Sequence, residues 1–349
     1  MRLTQTVMPH TDLLGSELPL AAAPMAGGAS TPALAAAVSA SGAFAFLAGG
    51  YKTPEALAGE IEQTRRSTEL FGVNLFAPTD SGITEADFRR YAAELQPDAE
   101  RYGLDVTDSP LVRDDDHWAD KLDLLLADPV PVVSVTFGLP SPSEVDALHR
   151  AGSRVLATVT TVDEGRAAVD VGVDALVAQG SSAGGHTSTH DPLRVITPMP
   201  TAQLTRALIE AIGLPVVAAG GVDGPQSVAE LIAAGAGAVA VGTLLLRTDE
   251  SGASRTHQDA LADPQFVETV VTRAFTGRPA RGLRNRFADR HESTAPAGYP
   301  AVHHLTKAMR QAAAAAGDPH GLHLWAGTGY RNAVTGPAAG VIDHLAGAL

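Results

Sequence analysis

The chain has 349 residues, 45% of them hydrophobic, which is enough apolar sequence to bury a large core and excludes a disordered protein. Its formal net charge of −14 makes nucleic acids and anionic membranes poor partners. It has no cysteine, which excludes disulfides, thiolate zinc sites, iron–sulfur clusters and cysteine nucleophiles.

The sequence carries no targeting or membrane signal that we can identify. Residues 1–15 lack the basic start and apolar core of a signal peptide. The longest apolar runs, such as residues 33–45, are interrupted by serine and glycine and are too short to span a bilayer. We therefore expect a soluble, cytoplasmic protein.

Short apolar runs alternate with helical segments along the first two thirds of the chain. Several helices are predicted to begin with a capping threonine and a proline, as at Thr31-Pro32 and Thr53-Pro54. Strands so uniformly apolar are expected to be buried on both faces of a parallel sheet. We predict eight of them, at residues 18–24, 43–47, 71–75, 130–137, 154–159, 175–178, 215–219 and 238–241. Alternation alone fits an open doubly wound sheet or a closed barrel, and the count favours an α/β fold of the (β/α)8 TIM barrel type.

The pattern changes after Thr243. Residues 248–325 are polar, include a cluster of arginines, and give helical but no strand signals. We predict a barrel over residues 1–247, a small inserted helical domain over 248–325, and the final barrel loop and helix over 326–349. The last helix is predicted at residues 333–349, whereas the acidic stretch 105–116 has no pattern that we can interpret.

Glycine-rich loops follow the seventh and eighth predicted strands, at Gly220-Gly221 and at Gly242-Thr243. Barrels of this type commonly bind phosphate with the backbone amides of these two loops and the N-terminus of a short helix. A side chain in place of glycine would block the phosphate, and Thr243 can add a hydroxyl donor. The alternative is that these glycines only end strands, but two pairs at these two strands favour phosphate binding.

Other predicted strands end in residues that can line a ligand. The backbone of Pro24-Met25-Ala26 can lie along a planar ring, although a methionine at a strand end is more often part of the core. Asn74 and Gln179 have amides that both donate and accept, which suits a heteroaromatic ligand, and capping a turn is the alternative. Thr136 and Thr158 end strands four and five, where a simple buried threonine is the plainer interpretation.

The loop after the sixth strand holds the strongest catalytic candidate. Gly184 and Gly185 allow the backbone to pass close to a flat or bulky group, and His186 follows directly. Its imidazole can exchange a proton near neutral pH, so we predict a catalytic or substrate-contacting role. The other histidines have no recognisable metal spacing, and we expect no metal site. The absence of a nucleophile elbow, a P-loop and an early Gly-x-Gly-x-x-Gly argues against hydrolase, NTPase and Rossmann functions.

With these residues in place, the chain resembles the nitronate monooxygenase family nearly from end to end. The most specific element is Ala-Gly-Gly-His after Gln-Gly, whereas the glycine pairs are shared by many FMN barrels. The motifs that carry the resemblance are Ala23-Pro24-Met25-Ala26-Gly27-Gly28, Phe71-Gly72-Val73-Asn74-Leu75-Phe76, Val135-Thr136-Phe137-Gly138-Leu139-Pro140, Ala178-Gln179-Gly180, Ala183-Gly184-Gly185-His186, Ala219-Gly220-Gly221, Gly242-Thr243 and Gly327-Thr328-Gly329.

The resemblance implies an enzyme that holds FMN non-covalently and oxidises alkyl nitronates, or nitroalkanes, with O2 to a carbonyl compound and nitrite. His186 would take the α-proton of a nitroalkane or face the anionic nitronate, and a protonated His186 would supply most of the local attraction. The residues expected to bind FMN are Gly220, Gly221, Gly242 and Thr243 at the phosphate and Pro24, Met25, Ala26, Asn74, Thr136, Thr158, Gln179, Gly184 and Gly185 along the rest of the cofactor.

Two departures from the family pattern border His186. Ser181-Ser182 stands where relatives usually have an acidic residue, and Thr187-Ser188-Thr189 follows the histidine. They weaken the substrate assignment more than the cofactor assignment. The alternatives are an FMN-dependent NAD(P)H enoyl-thioester reductase and a non-catalytic barrel that binds FMN or phosphate. The expected partners are a small anionic or nitro-containing substrate and O2, with the chain a monomer or homodimer.

Overall fold

Eight parallel strands close into a barrel in the computed structural model, which describes residues 13–79 and 81–349. Each barrel strand pairs with the next one along the chain, and the pairing of Leu20 with Val239 closes the ring. The barrel strands are β1 (Leu20–Ala22), β2 (Phe44–Ala48), β3 (Gly72–Phe76), β4 (Val132–Thr136), β5 (Arg154–Val159), β6 (Ala175–Gln179), β8 (Val216–Ala219) and β9 (Ala238–Val241). The predicted (β/α)8 barrel is confirmed, and the open doubly wound sheet is excluded.

Helices connect the strands and cover the outside of the barrel. The caps predicted at Thr31 and Thr53 are present, since their hydroxyls accept from the backbone N–H groups of Leu34 and Ala56. The helices are α1 (Pro32–Ala40), α2 (Pro54–Arg65), α3 (Glu85–Glu100), α4 (Trp118–Ala127), α5 (Pro142–Ala151), α6 (Val162–Asp170), α7 (Thr201–Ile212), α8 (Pro225–Ala233), α9 (Arg255–Ala260), α10 (Arg286–His291), α11 (Ala301–Ala315) and α12 (Ala338–Ala346). The last helix is thus shorter than predicted, and α4 was not predicted.

The segment 248–325 contains strands as well as helices. Strand β10 (Thr269–Thr272) pairs antiparallel with β11 (Ala280–Leu283), and β11 pairs with the two-residue strand β7 (Gly185–His186) in the loop after β6. The expectation of a purely helical segment is therefore wrong. The sequence Ala-Arg-Gly-Leu of β11 has no strand pattern of its own, and it is a strand through pairing with β10 on one side and β7 on the other. The division into domains at residues 247 and 325 stays a prediction.

The segment 248–325 packs on α3 and encloses the carboxyl ends of the barrel strands. Phe88, Tyr91 and Leu95 of α3 form one apolar cluster with Phe275 and with Val302 of α11. This cluster is separate from the larger one between the barrel strands and their covering helices. The insert is thereby held over the end of the barrel where active sites of this fold lie.

Across the described ranges, no helix is both long and apolar enough to cross a membrane. Residues 1–12, which make up most of the segment searched for a signal peptide, lie outside the described residues.

Candidate active site

A cavity of about 580 Å³ lies between the carboxyl ends of the barrel strands and the insert. The structure brings every predicted site residue to its wall. These residues are Pro24, Met25, Ala26, Asn74, Thr136, Thr158, Gln179, Gly184, Gly185, His186, Gly220, Gly221, Gly242 and Thr243. Since the strand ends of a parallel barrel converge on one face, residues distant in sequence share this wall.

The loops after β8 and β9 form a cradle of free backbone donors. Gly220 and Gly221 have φ of +109° and +80°, and a Cβ on Gly220 would lie 2.8 Å from the Ala183 side chain. The N–H groups of Gly221, Gly242 and Thr243 donate to no acceptor in the described part of the chain. Gly242 also begins the short 3-10 helix Thr243–Leu245. Unpartnered N–H groups at a helix start are what a phosphate needs, so the cradle fits a phosphate-bearing cofactor.

Asn74, Thr136 and Thr158 form one polar network on the wall of the cavity. The Nδ2 of Asn74 donates to the Oγ of Ser134 at 2.9 Å and to the Oγ1 of Thr136 at 3.0 Å. The hydroxyls of Thr136 and Thr158 are 3.4 Å apart. The carbonyl oxygen of the Asn74 side chain accepts no hydrogen bond from the described residues, since the bonds of this amide all involve Nδ2. Asn74 therefore presents an oriented acceptor on the strand end rather than capping a turn.

Gln179 is bound to the loop that carries His186. Its Nε2 donates to the backbone oxygen of His186 at 3.0 Å, and its Oε1 accepts from the N–H of Ser188 at 2.8 Å. Both ends of the amide are thus occupied by the protein. The structure gives Gln179 the role of fixing this loop, while its predicted contact with the cofactor stays a prediction.

His186 is held on three sides. The Nε2 atom lies 2.9 Å from the Oγ1 of Thr276, and the backbone of His186 pairs with Ala280 of β11. Its ring centroid lies 5.6 Å from that of Phe137 and 5.5 Å from that of Trp325. The Nδ1 atom has no hydrogen-bond partner among the residues described. Nδ1 is therefore the ring atom left to exchange a proton with a ligand.

The imidazole of His186 is neutral at physiological pH. Burial lowers its pKa to about 3, and the nearby guanidinium groups of Arg278 and Arg310 lower it further in the same direction. The expectation that a protonated His186 attracts an anion is therefore wrong. The neutral ring is instead the form that can accept a proton.

Positive charge near the site comes from two buried arginines of the insert. Arg278 is fully buried, lies 3.9 Å from the Phe137 ring centroid and donates to the backbone oxygens of Thr187 and Thr189. Arg310 is 7% exposed and lines the cavity. Neither guanidinium forms an ion pair with a carboxylate within the described ranges. Arg278 thus supports the His186 loop, whereas Arg310 brings a cation to the cavity.

Sequence reasoning missed the residues that the insert contributes to the cavity. They are Thr276, His303, Lys307, Arg310, Gln311, His323 and Trp325, together with His257. Helix α11 offered a signal, because His303, Lys307, Arg310 and Gln311 recur at helical spacing on one face. Sequence reasoning tested the histidines only for metal spacing and did not identify this polar face of α11.

The acidic stretch 105–116 also contributes to the site. The Oδ1 of Asp116 accepts from the backbone N–H of Tyr51 at 2.8 Å, and Lys121 lies 2.8 Å from its Oδ2. The ring of Tyr51 stacks on His303, with centroids 4.0 Å apart and planes 6° apart. The end of this stretch therefore holds Tyr51 against the cavity wall.

Known proteins resemble this chain over nearly its full length. The sequence profile of the nitronate monooxygenase family matches residues 8–347. A probable nitronate monooxygenase of Staphylococcus aureus is 35% identical over 342 residues, which are 96% of this chain and 95% of that protein. The crystal structure of a nitroalkane oxidase from Streptomyces ansochromogenes has 45% identity and a TM-score of 0.89, covering 96% of each chain. FabK from Thermotoga maritima has 25% identity and a TM-score of 0.73, covering 99% of this chain and 95% of FabK.

Proposed function

The chain belongs to the nitronate monooxygenase family, and from this premise we propose that it uses FMN and O2 to oxidise alkyl nitronates to a carbonyl compound and nitrite. The family makes it a flavin-dependent oxidoreductase acting on nitronates or nitroalkanes. One observation carries the more specific proposal. A single cavity joins a cradle of free backbone donors to an enclosed, neutral histidine.

The cavity wall fits FMN in its chemistry. The free N–H groups of Gly221, Gly242 and Thr243 suit the phosphate, and the hydroxyl of Thr243 accepts from the N–H of Gly327 at 2.9 Å. The unpartnered carbonyl oxygen of Asn74 suits an N–H of the flavin ring system. When bound, FMN supplies the redox chemistry, taking electrons from the substrate and passing them to O2. The protein then needs no redox-active side chain, in keeping with its lack of cysteine.

The side chains of the protein bind the substrate and move its proton. Neutral His186 can take the α-proton of a nitroalkane at Nδ1, because Nε2 is held by Thr276. A nitronate has already lost this proton, so its oxidation does not require His186 to act as a base. The aromatic rings of Phe137, Tyr299 and Trp325 around His186 limit the entry of water.

An anaerobic absorption experiment tests this function. We expect the purified protein to be yellow and its flavin bands to bleach on addition of propionate 3-nitronate, without NADPH. On admission of O2 the bands should return and nitrite should form. Bleaching by NADPH but not by the nitronate would support an enoyl-thioester reductase instead. A colourless protein that does not take up FMN would support a non-catalytic phosphate-binding barrel.

A further inference from the structure

Arg310 is a buried cation whose hydrogen bonds go only to neutral groups. Its Nε donates to the Oγ1 of Thr306 at 3.1 Å, and its Nη2 donates to the Nδ1 and the backbone oxygen of His303. Its Nη1 has one contact, with the Nε2 of His323 at 3.4 Å. A guanidinium has five N–H donors, so one N–H on Nη1 has no acceptor among the residues described.

The surroundings of Arg310 do not balance its charge. Burial lowers the pKa values of His186, His303 and His323, and the charge of Arg310 lowers them further, so these three neighbours are neutral. The other cation on this face of α11 is Lys307, which also lines the cavity but is exposed to solvent. A buried charge without a counter-ion is costly, and proteins retain one where a ligand supplies the opposite charge.

We propose that Arg310 is the residue that binds the anionic O–N–O group of the substrate and so makes the enzyme prefer nitronates to neutral nitroalkanes. This inference rests on the proposed function. Arg310 gives the cavity a positive charge that neutral His186 does not supply. Its planar guanidinium also matches a planar group with two oxygens. His303, which stacks on Tyr51, and His323 then act as supports that orient the guanidinium.

Arg278 shows what a purely structural buried arginine looks like in the same protein. Its guanidinium stacks on Phe137 and donates to backbone oxygens of the His186 loop, and it does not line the cavity. Arg310 differs because it lines the cavity and because one N–H on its Nη1 has no acceptor among the residues described. Arg278 therefore stabilises the His186 loop, whereas Arg310 has a donor that a ligand can use.

Anion binding to the holoenzyme tests the proposal without turnover. Nitrite is a planar O–N–O anion, and its affinity can be measured by calorimetry. We expect Arg310→Met and Arg310→Gln to weaken nitrite binding about 10- to 100-fold, the usual range for a hydrogen bond to a charged group. Arg310→Lys should retain only part of the affinity, because an ammonium group keeps the charge but not the planar pair of donors. Arg206→Met, which removes the same charge from an exposed position on α7 outside the cavity wall, should change it less than about threefold because water and salt screen that site.

Turnover then tests selectivity. In Arg310→Met the ratio of kcat/KM for a nitronate to kcat/KM for the neutral nitroalkane should fall about 10- to 100-fold, mainly through KM for the nitronate. Equal losses for both substrates, or unchanged nitrite affinity in folded Arg310→Met and Arg310→Gln, would overturn the proposal. Loss of FMN with nitrite affinity intact would assign Arg310 to the cofactor and would also overturn it. If the wild type oxidises neither substrate, the proposed function fails while the nitrite titration still decides the role of Arg310.

Discussion

At the scale of single residues, the chemistry of His186 depends on partners from elsewhere in the chain. Thr276, 90 positions away, binds Nε2 and leaves Nδ1 free, while Gln179 holds the backbone of the loop. Burial and two arginines of the insert keep the ring neutral. The histidine is thus prepared to accept a proton, and the attraction for an anion has to come from another residue.

Replacing His186 by asparagine tests its role as a base. His186→Asn should keep the protein yellow, because the phosphate cradle is unchanged. Turnover of neutral nitroalkanes should fall about 100- to 10,000-fold, the usual contribution of a general base. Steady-state oxygen consumption measures this loss. Turnover of a preformed nitronate should fall much less, because its α-proton is already gone, and unchanged nitroalkane turnover would remove His186 from the mechanism.

At the scale of elements, two kinds of contact build the site. The loops after β8 and β9 present backbone N–H groups, and their glycines permit the close approach of Ala183 and Ser182 from the loop after β6. Strand β11 of the insert pairs with β7 and fixes the position of His186. Under the proposed function, the barrel would supply the cofactor side of the cavity, and the insert together with the His186 loop would supply the substrate side.

A glycine substitution in the cradle should affect the cofactor first. In Gly221→Val the new Cβ would lie 3.1 Å from the Ser182 side chain at a φ of +80°, which strains the loop and moves its N–H. We expect FMN affinity to fall at least about tenfold, measured by fluorescence titration of the apoprotein. Gly152→Val is the matched control, because Gly152 has a φ of +97° but no neighbour within 4 Å and lies outside the cavity wall. Equal FMN loss in both variants would attribute the effect to general destabilisation.

At the scale of the whole molecule, the enclosed histidines couple folding to pH. Burial lowers the pKa values of His186, His257, His303 and His323 below the ordinary value for histidine. The folded protein therefore leaves these rings neutral at a pH where the unfolded chain protonates them. Proton binding by the unfolded state then reduces stability as the pH falls below about 6.5.

The expected result is a steep loss of stability on mild acidification. Between pH 6 and 5 these four histidines should together bind nearly four protons when the protein unfolds. The free energy of unfolding should therefore fall by about 5 kcal/mol per pH unit. Denaturant unfolding of the holoenzyme across this range measures the slope. His323→Gln should lower the uptake by about one proton, and His344→Gln, at an exposed position on α12, is the control. A flat stability profile from pH 7 to 5 would contradict the neutral histidines.

Much of the fold and of the cofactor side of the site could be predicted from sequence because those signals are local. Apolar runs long enough for one strand marked all eight barrel strands, since burial on both faces leaves few polar positions. Gly220, Gly221 and Gly242 were recognisable because they follow the seventh and eighth strands, where barrels commonly bind phosphate, and His186 because glycines precede it. Each of these residues lies on the cavity wall.

The substrate side was decided only by the tertiary structure. β11 forms a strand because it pairs with β10 and β7, and Arg310 becomes a cavity cation because α11 packs over the barrel end. The protonation state of His186 likewise depends on burial and on arginines 92 and 124 positions further along the chain. Sequence thus determines which segments become the barrel strands and which loops can approach a phosphate. Charge and hydrogen bonding within the cavity depend on contacts between distant segments, and no local pattern encodes them.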